Sequence, residues 1–297
     1  TLISYTLSQV ILFFKLLKYR KSSVVFYVNT LLPFGAALAG KLLGIQVFYH
    51  IHETSIRPRP LKVFLRWIVE ICSSNNIFVS HFLARAEGFS NVGGKVVYNS
   101  IPREMSSVAA RHVYQPLPDG RFGVLMICSL KTYKGVNEFV QIARLLRGHQ
   151  VFKFTLILGT TQTEVSDFFS STTIPDNLTI IFGCADVMPY YQKASVLLSL
   201  SKPDEWVETF GLTILEGLSF GIPCIIPPVG GPIELVSEDC EGYLMASDRV
   251  EDISAKLVFL RENSDVCYRL SNAAKVKSLN FSSEKFESGV LGVFDGI

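Results

Sequence analysis

Three groups of residues in this 297-residue chain combine types and spacings that can do chemistry. Glu208 and Glu216 stand in SKPDEWVETFGLTILEGLSFGIPCI, the first in a loop and the second inside an apolar-periodic run. Leu212, Ile214, Leu215 and Leu218 give that run one apolar face, Thr209 is a suitable N-cap for a helix starting near Phe210, and Gly221 with Pro223 ends it. A helix N-terminus offers unpaired N–H groups and the positive end of a dipole, so the backbone of Phe210, Gly211 and Leu212 would hold an anion such as a diphosphate. Gly211, with no Cβ, lets a ligand approach closely. Glu208 would stand at the mouth of that site. Glu216, about one and a half turns inside the helix, would accept hydrogen bonds from a vicinal diol. The plainer alternative is a solvated acidic loop followed by a surface glutamate, and spacing alone leaves both open.

The second group is HIHE, His50 to Glu53, at the carboxyl end of an apolar strand Gln46 to Tyr49. Ligands of open α/β sheets bind beyond such strand ends, which places His52 and Glu53 to face a cleft; a hydrogen-bonded structural histidine is the alternative. The third is Lys134-Gly135, at the start of a helix carrying Val136, Phe139, Val140, Ala143 and Leu146 at helical spacing. An ammonium beside free N–H groups suits a diphosphate, although a lone lysine there is equally a surface residue. A further stretch, RPRPLKVFLRWIVEICS, places Arg57, Arg59, Lys62 and Arg66 among Leu61, Phe64, Leu65, Trp67 and Ile68 after Pro60. It reads either as a solvated basic face or as a contact with a membrane surface or lipid phosphate.

The elements that must position these groups alternate strand and helix. Strands are expected at Val24 to Tyr27, Gln46 to Tyr49, Asn76 to Val79 and Lys95 to Tyr98, then at Phe122 to Cys128, Phe154 to Leu158, Leu178 to Phe182, Val196 to Leu200 and Cys224 to Ile226. Helices fall between them, the first over residues 6–19. This order predicts parallel sheets with right-handed crossovers. The length allows two domains, each with its own core. Residues 103–120, with Pro116, Pro118, Asp119 and Gly120, carry turn residues and little periodicity, and they place the boundary. The longest uncharged run, Ser22 to Gly40, approaches a membrane span in length, but Asn29, Pro33, Gly35 and Gly40 interrupt it and it reads as strand, turn and helix. The six cysteines are scattered singly, without zinc-site spacing, as buried free thiols of a reducing cytosol would be.

Charge divides the chain. Residues 1–110 carry 12 Lys+Arg against 4 Asp+Glu, a balance of +8, and the remainder carries 16 against 22, a balance of −6. The first half therefore faces an anionic partner. Interleaved Leu, Phe and Trp fit a membrane surface, and no nucleic-acid motif is present.

The span from Glu208 to Glu216 resembles the paired-glutamate signature of the retaining GT-B glycosyltransferases of family four (glycosyl transferases group 1), and PPVGGPIELV resembles the glycine pair followed by Glu-Leu-Val, here Gly230, Gly231 and Glu234 to Val236. The resemblance implies two Rossmann-like domains with parallel sheets facing a cleft: an acceptor-side domain at 1–102, a linker at 103–120, a nucleotide-sugar domain at 121–280, and a terminal helix at 281–297 packing back on the first domain. It implies that Glu208 approaches the transferred sugar, Glu216 binds the ribose hydroxyls, and His52 contacts sugar or acceptor. Lys134 and Gly135 would hold the diphosphate. Where the family has an arginine five residues before that lysine this chain has Ser129, and Lys131 would reach in instead. Family members begin with a strand and a glycine-rich loop upstream of the point matching Thr1, so the first domain is expected to be incomplete at its start and transfer by residues 1–297 to be low. No Asp-x-Asp occurs, so neither metal nor other cofactor is expected. The function implied is transfer of a sugar from a nucleotide-sugar to a glycan or lipid-linked acceptor in bacterial cell-surface polysaccharide or glycolipid synthesis, in the cytoplasm or peripherally on the inner face of the membrane. The competing readings are a degenerate GT-B scaffold or partner protein and a nucleotide-sugar epimerase.

Overall fold

Runs of Val, Ile, Leu and Phe covered on both faces make parallel strands, and several strands of this chain's two sheets are of this kind. The computed structural model describes residues 2–90 and 92–294, which divide into two units: the residues up to Asn99 together with those from Phe286 on, and Ser100–Lys285.

In the first unit, β1 (Phe26–Asn29), β2 (Val47–Ile51), β3 (Asn75–Phe78) and β4 (Gly94–Val96) pair in parallel in chain order. All five residues of β2 are buried. Helices Phe34–Leu43, Arg59–Cys72 and the short His81–Ala86 lie in the three crossovers. Phe294, in the helix Ser283–Phe294, sits 4.8 Å from the Phe48 ring, and Val293 is buried with Phe48, Ile77 and Val97. The first helix, Leu2–Leu16, starts earlier than the sequence reading placed it and buries only Gln9. With the following 3-10 turn it is, among the described residues, the one helix long and apolar enough by composition to cross a membrane.

The second unit holds β5 (Phe122–Cys128), β6 (Phe152–Leu158), β7 (Leu178–Phe182), β8 (Val196–Leu198), β9 (Cys224–Ile226) and β10 (Gly242–Leu244). All pairings between these strands are parallel and the spatial order is β10-β9-β8-β5-β6-β7. That is the doubly wound dinucleotide-fold order, with the reversal between β5 and β8.

Two expectations are corrected here. The stretch 103–120 is not an open linker: Arg103–Arg111 is a helix with Met105 and Ala109 turned inward. Beyond it, Tyr114 is buried in the second core and its hydroxyl donates to the Ser195 carbonyl at 2.8 Å. A carbonyl-capping lysine, Lys275, also reaches back to His112, so the segment belongs to the second unit. The cysteines are all free, and Cys72, Cys224 and Cys267 are buried, but Cys240 is exposed because it lies in the loop before β10.

Candidate active site

The order reversal places the carboxyl ends of β5 and β8 side by side, where an open α/β sheet forms its ligand crevice. The chain after β5 carries Ser129 and Lys131, both exposed, then a 3-10 turn Thr132–Lys134 and Gly135, the start of the helix Val136–Leu145. The chain after β8 runs through Ser201 to Glu208. Several contacts tie the two loops together. The Lys202 N–H donates to the Tyr133 carbonyl at 2.8 Å, and the Lys202 ammonium pairs with Glu138 at 2.8 Å. The Tyr133 and Trp206 rings stack with centroids 5.4 Å apart. Between the loops the Lys134 ammonium pairs with the Glu208 carboxylate, and it lies 5.6 Å from the centre of the Trp206 ring. Ser201 Oγ donates to the same Glu208 oxygen at 3.2 Å. An ammonium and a carboxylate, both part-buried and fixed by aromatic stacking, are available to a charged ligand at this edge. Cys128 at the end of β5 offers no thiolate, since burial pushes its thiol up to about 12.

The glycine pair fixes the backbone under Glu208. The Gly231 N–H donates to the Glu208 carbonyl at 2.9 Å, and a Cβ on Gly231 would lie 2.1 Å from the Thr209 carbonyl oxygen. Gly231→Ala is therefore expected to lower unfolding free energy by about 1–3 kcal/mol, the range for overpacking a filled site. Urea denaturation checks this, and an unchanged midpoint would show that the loop moves aside without cost.

The helix bearing Glu216 is Leu212–Ser219, not one starting near Phe210. Gly211, at φ 103°, is left-handed and breaks the helical geometry, while Phe210 is buried with its ring 6.0 Å from Phe281. The free helical N–H groups therefore begin at Leu212, and Glu216 lies about one turn inside. Tyr191 was not singled out in the sequence. It is fully buried, stacks on Phe220 at 5.5 Å, and donates its hydroxyl to Glu216 Oε2 at 2.6 Å. Burial raises the Glu216 carboxyl above the usual range, and the Tyr191 bond acts in the opposite direction.

His50, His52 and Glu53 belong to the first unit. His50 is the buried end of β2, with Nδ1 2.5 Å from Tyr27 Oη, and its ring centre is 4.2 Å from that of His52. Nε2 of each histidine is buried without a hydrogen-bond partner. Burial lowers both pKa values, that of His50 to about 3, with His52 adding to the effect there, so both rings are neutral near pH 7. Glu53 accepts from the His52 N–H at 3.3 Å, and burial raises its carboxyl. No group of three or more His, Cys, Asp or Glu able to hold a metal ion occurs among the described residues.

Residues 111–277 match the family model described as glycosyl transferases group 1. An uncharacterized glycosyltransferase of Methanocaldococcus jannaschii is 30% identical over 110 residues, 37% of this chain and 30% of that protein. The lipopolysaccharide core biosynthesis mannosyltransferase LpsB of Rhizobium meliloti is 22% identical over 139 residues, 46% of this chain and 38% of that protein. The matched segments thus span less than half the length of these curated relatives. Among solved structures, Anabaena HepE in complex with UDP and glucose superposes with a TM-score of 0.80 at 17% identity, covering 96% of this chain and 81% of that one. The apo lipopolysaccharide outer core galactosyltransferase WaaB gives 0.70 at 18% identity, covering 97% and 81%. These likenesses show the fold, which is GT-B.

Proposed function

Because the chain belongs to the glycosyl transferases group 1 family, we propose that it moves a sugar from a nucleotide-sugar to an acceptor hydroxyl, with retention at the anomeric carbon. The observation that carries the reading is the Lys134–Glu208 pair at the β5/β8 reversal. In the reaction, the bond from the anomeric carbon to the diphosphate oxygen breaks and a bond from the acceptor oxygen forms on the same face. The acceptor proton passes to the departing diphosphate. Lys134, with the N–H groups from Val136 onward and at Leu212, stabilises the charge that develops on that diphosphate. Glu208 orients the sugar, Glu216 accepts from the ribose hydroxyls, and His52, neutral near pH 7, hydrogen-bonds sugar or acceptor. Ser129 and Lys131 flank the diphosphate from the loop after β5. A resident metal has no part in this reading, because the chain contains no Asp-x-Asp anchor.

The HepE complex holds UDP and glucose, which supports a nucleotide-sugar donor here. The names of LpsB and WaaB, both in lipopolysaccharide core synthesis, support a role in cell-surface polysaccharide or glycolipid synthesis. A glycan or lipid-linked acceptor follows, and with it a cytoplasmic protein seated peripherally on the inner face of the membrane.

A panel of nucleotide-sugars tested by thermal shift decides the donor. A donor at a hundredfold excess over its Kd stabilises the folded chain by about 2.7 kcal/mol. The expected result is stabilisation by one nucleotide-sugar and its nucleoside diphosphate, followed by a glycosylated product with an acceptor. No response from any member would overturn the reading, and turnover without an acceptor would make the protein an epimerase.

A further inference from the structure

The helix Arg59–Cys72 carries more apolar surface than its core position uses. Leu65, Ile68, Val69 and Cys72 are buried against the first unit, which already completes an inward stripe. Val63, Phe64, Trp67 and Ile71 form a second stripe that faces water, with Val63 61% and Trp67 53% exposed. Around Arg59, Pro60, Val63, Phe64 and Trp67 the surface is a shallow depression of about 590 Å³. The stripe continues sideways. The Phe64 ring is 5.2 Å from Phe34, and Phe34 is 5.8 Å from Tyr5. That row leads to the helix Leu2–Leu16, whose Leu2, Ile3 and Leu7 are also exposed.

Charge identifies what covers this face. Residues 1–99 contain 11 Lys+Arg and 3 Asp+Glu, and none of the three acids, Glu53, Glu70 and Glu87, is exposed. Glu87, 1% exposed, is neutralised by Lys62 and Arg66, which removes those two from the lipid-facing set that the sequence implied. Arg57 and Arg59 remain exposed beside the stripe, and Lys15, Lys18, Lys21 and Lys41 are exposed on neighbouring elements. An aromatic and aliphatic stripe bordered by cations, with no exposed acid in residues 1–99, matches the interface of an anionic bilayer in both respects.

We propose that Val63, Phe64, Trp67 and Ile71 insert into the interfacial region of an anionic lipid bilayer while Arg57 and Arg59 meet its headgroups. This deepens the reading of a membrane-seated enzyme given above, but it concerns lipid binding and not turnover, so the two can fail separately. The chain has two tryptophans, and Trp206→Phe leaves Trp67 as the sole emitter. That variant is mixed with phosphatidylglycerol–phosphatidylcholine vesicles, with and without brominated acyl chains, and with pure phosphatidylcholine vesicles. Trp67 emission is expected to shift to the blue and to be quenched by brominated chains in the anionic vesicles only, with binding that weakens as salt is raised. In the otherwise native chain, Phe64→Ser with Trp67→Ser is expected to lower vesicle partition at least tenfold. Arg57→Gln with Arg59→Gln should flatten the salt dependence. Circular dichroism and the midpoint of thermal unfolding verify that each variant is folded. Unquenched emission, equal partition of the Ser variant, or a dimer in ultracentrifugation that the Ser variant abolishes while neither protein binds vesicles would each overturn the proposal. If no nucleotide-sugar binds the native chain yet quenching is seen, the transferase reading fails and this one stands.

Discussion

Replacing Lys134 with methionine is expected to lower kcat by about 10²–10³-fold, the usual loss when one preorganised group facing transition-state charge is removed. Methionine keeps the length and most of the packing against Trp206 and Tyr133 and deletes only the ammonium. The negative charge on the diphosphate grows as the glycosidic bond breaks, so the loss should fall on kcat more than on KM. In the free chain the ammonium is held by Glu208, which competes with the incoming diphosphate for it. Glu208→Gln should therefore bind nucleoside diphosphate somewhat more tightly than the native chain while transferring sugar more slowly. Steady-state rates at saturating donor, with calorimetric titration of both variants, measure this. An unchanged kcat in Lys134→Met, or weaker diphosphate binding in Glu208→Gln, would remove the pair from the chemistry.

That pairing was out of reach of the sequence, and the reason is instructive. Phe122–Cys128 and Cys224–Ile226 are apolar throughout apart from Gly123, and their bounds follow from composition because neither strand has an exposed residue. Candidate site residues could be proposed one by one, since His52, Lys134 and Glu208 each stand in the chain that follows a strand. Their partners could not. Lys134 and Glu208 are 74 positions apart, and only the β5/β8 reversal brings the loops together. The helix Arg103–Arg111 was missed because only Met105 and Ala109 are buried on it, too few to register as a period among charged and small residues. β10, Gly242–Leu244, is three residues long, and burial of its edge against β9 decides it. Lys62 and Arg66 read as a solvated or lipid-facing pair because nothing local shows that Glu87, on another element, is buried beneath them. Local pattern thus reveals where apolar surface goes, while long-range electrostatic partners are set by topology.

Glu216→Ala is expected to weaken nucleotide binding by about 1.5–3 kcal/mol, the worth of hydrogen bonds to a charged group and roughly ten- to hundredfold in Kd. The argument rests on the carboxylate being preset: its helix holds it about one turn from the N-terminus, and Tyr191 Oη fixes Oε2 at 2.6 Å, leaving Oε1 for a ribose diol. Protonation would convert an acceptor into a partial donor, so binding should track the ionised form. Burial raises the Glu216 pKa, and the affinity is accordingly full above that raised value and lost as pH falls through it. The sign for folding is opposite: a carboxyl raised in the folded state favours folding at low pH, and that contribution is lost as pH rises. Tyr191→Phe removes the bond that favours the carboxylate, so it should move the acid limb of nucleotide affinity to higher pH. A Tyr191 that served packing alone would lower stability without moving that limb. Calorimetry across pH on the native chain, Glu216→Ala and Tyr191→Phe separates the cases. The Ala variant should show no acid limb from this group. If a folded Glu216→Ala binds as tightly as the native chain at every pH, Glu216 is a helix residue held by Tyr191 and the ribose contact lies elsewhere in the second unit.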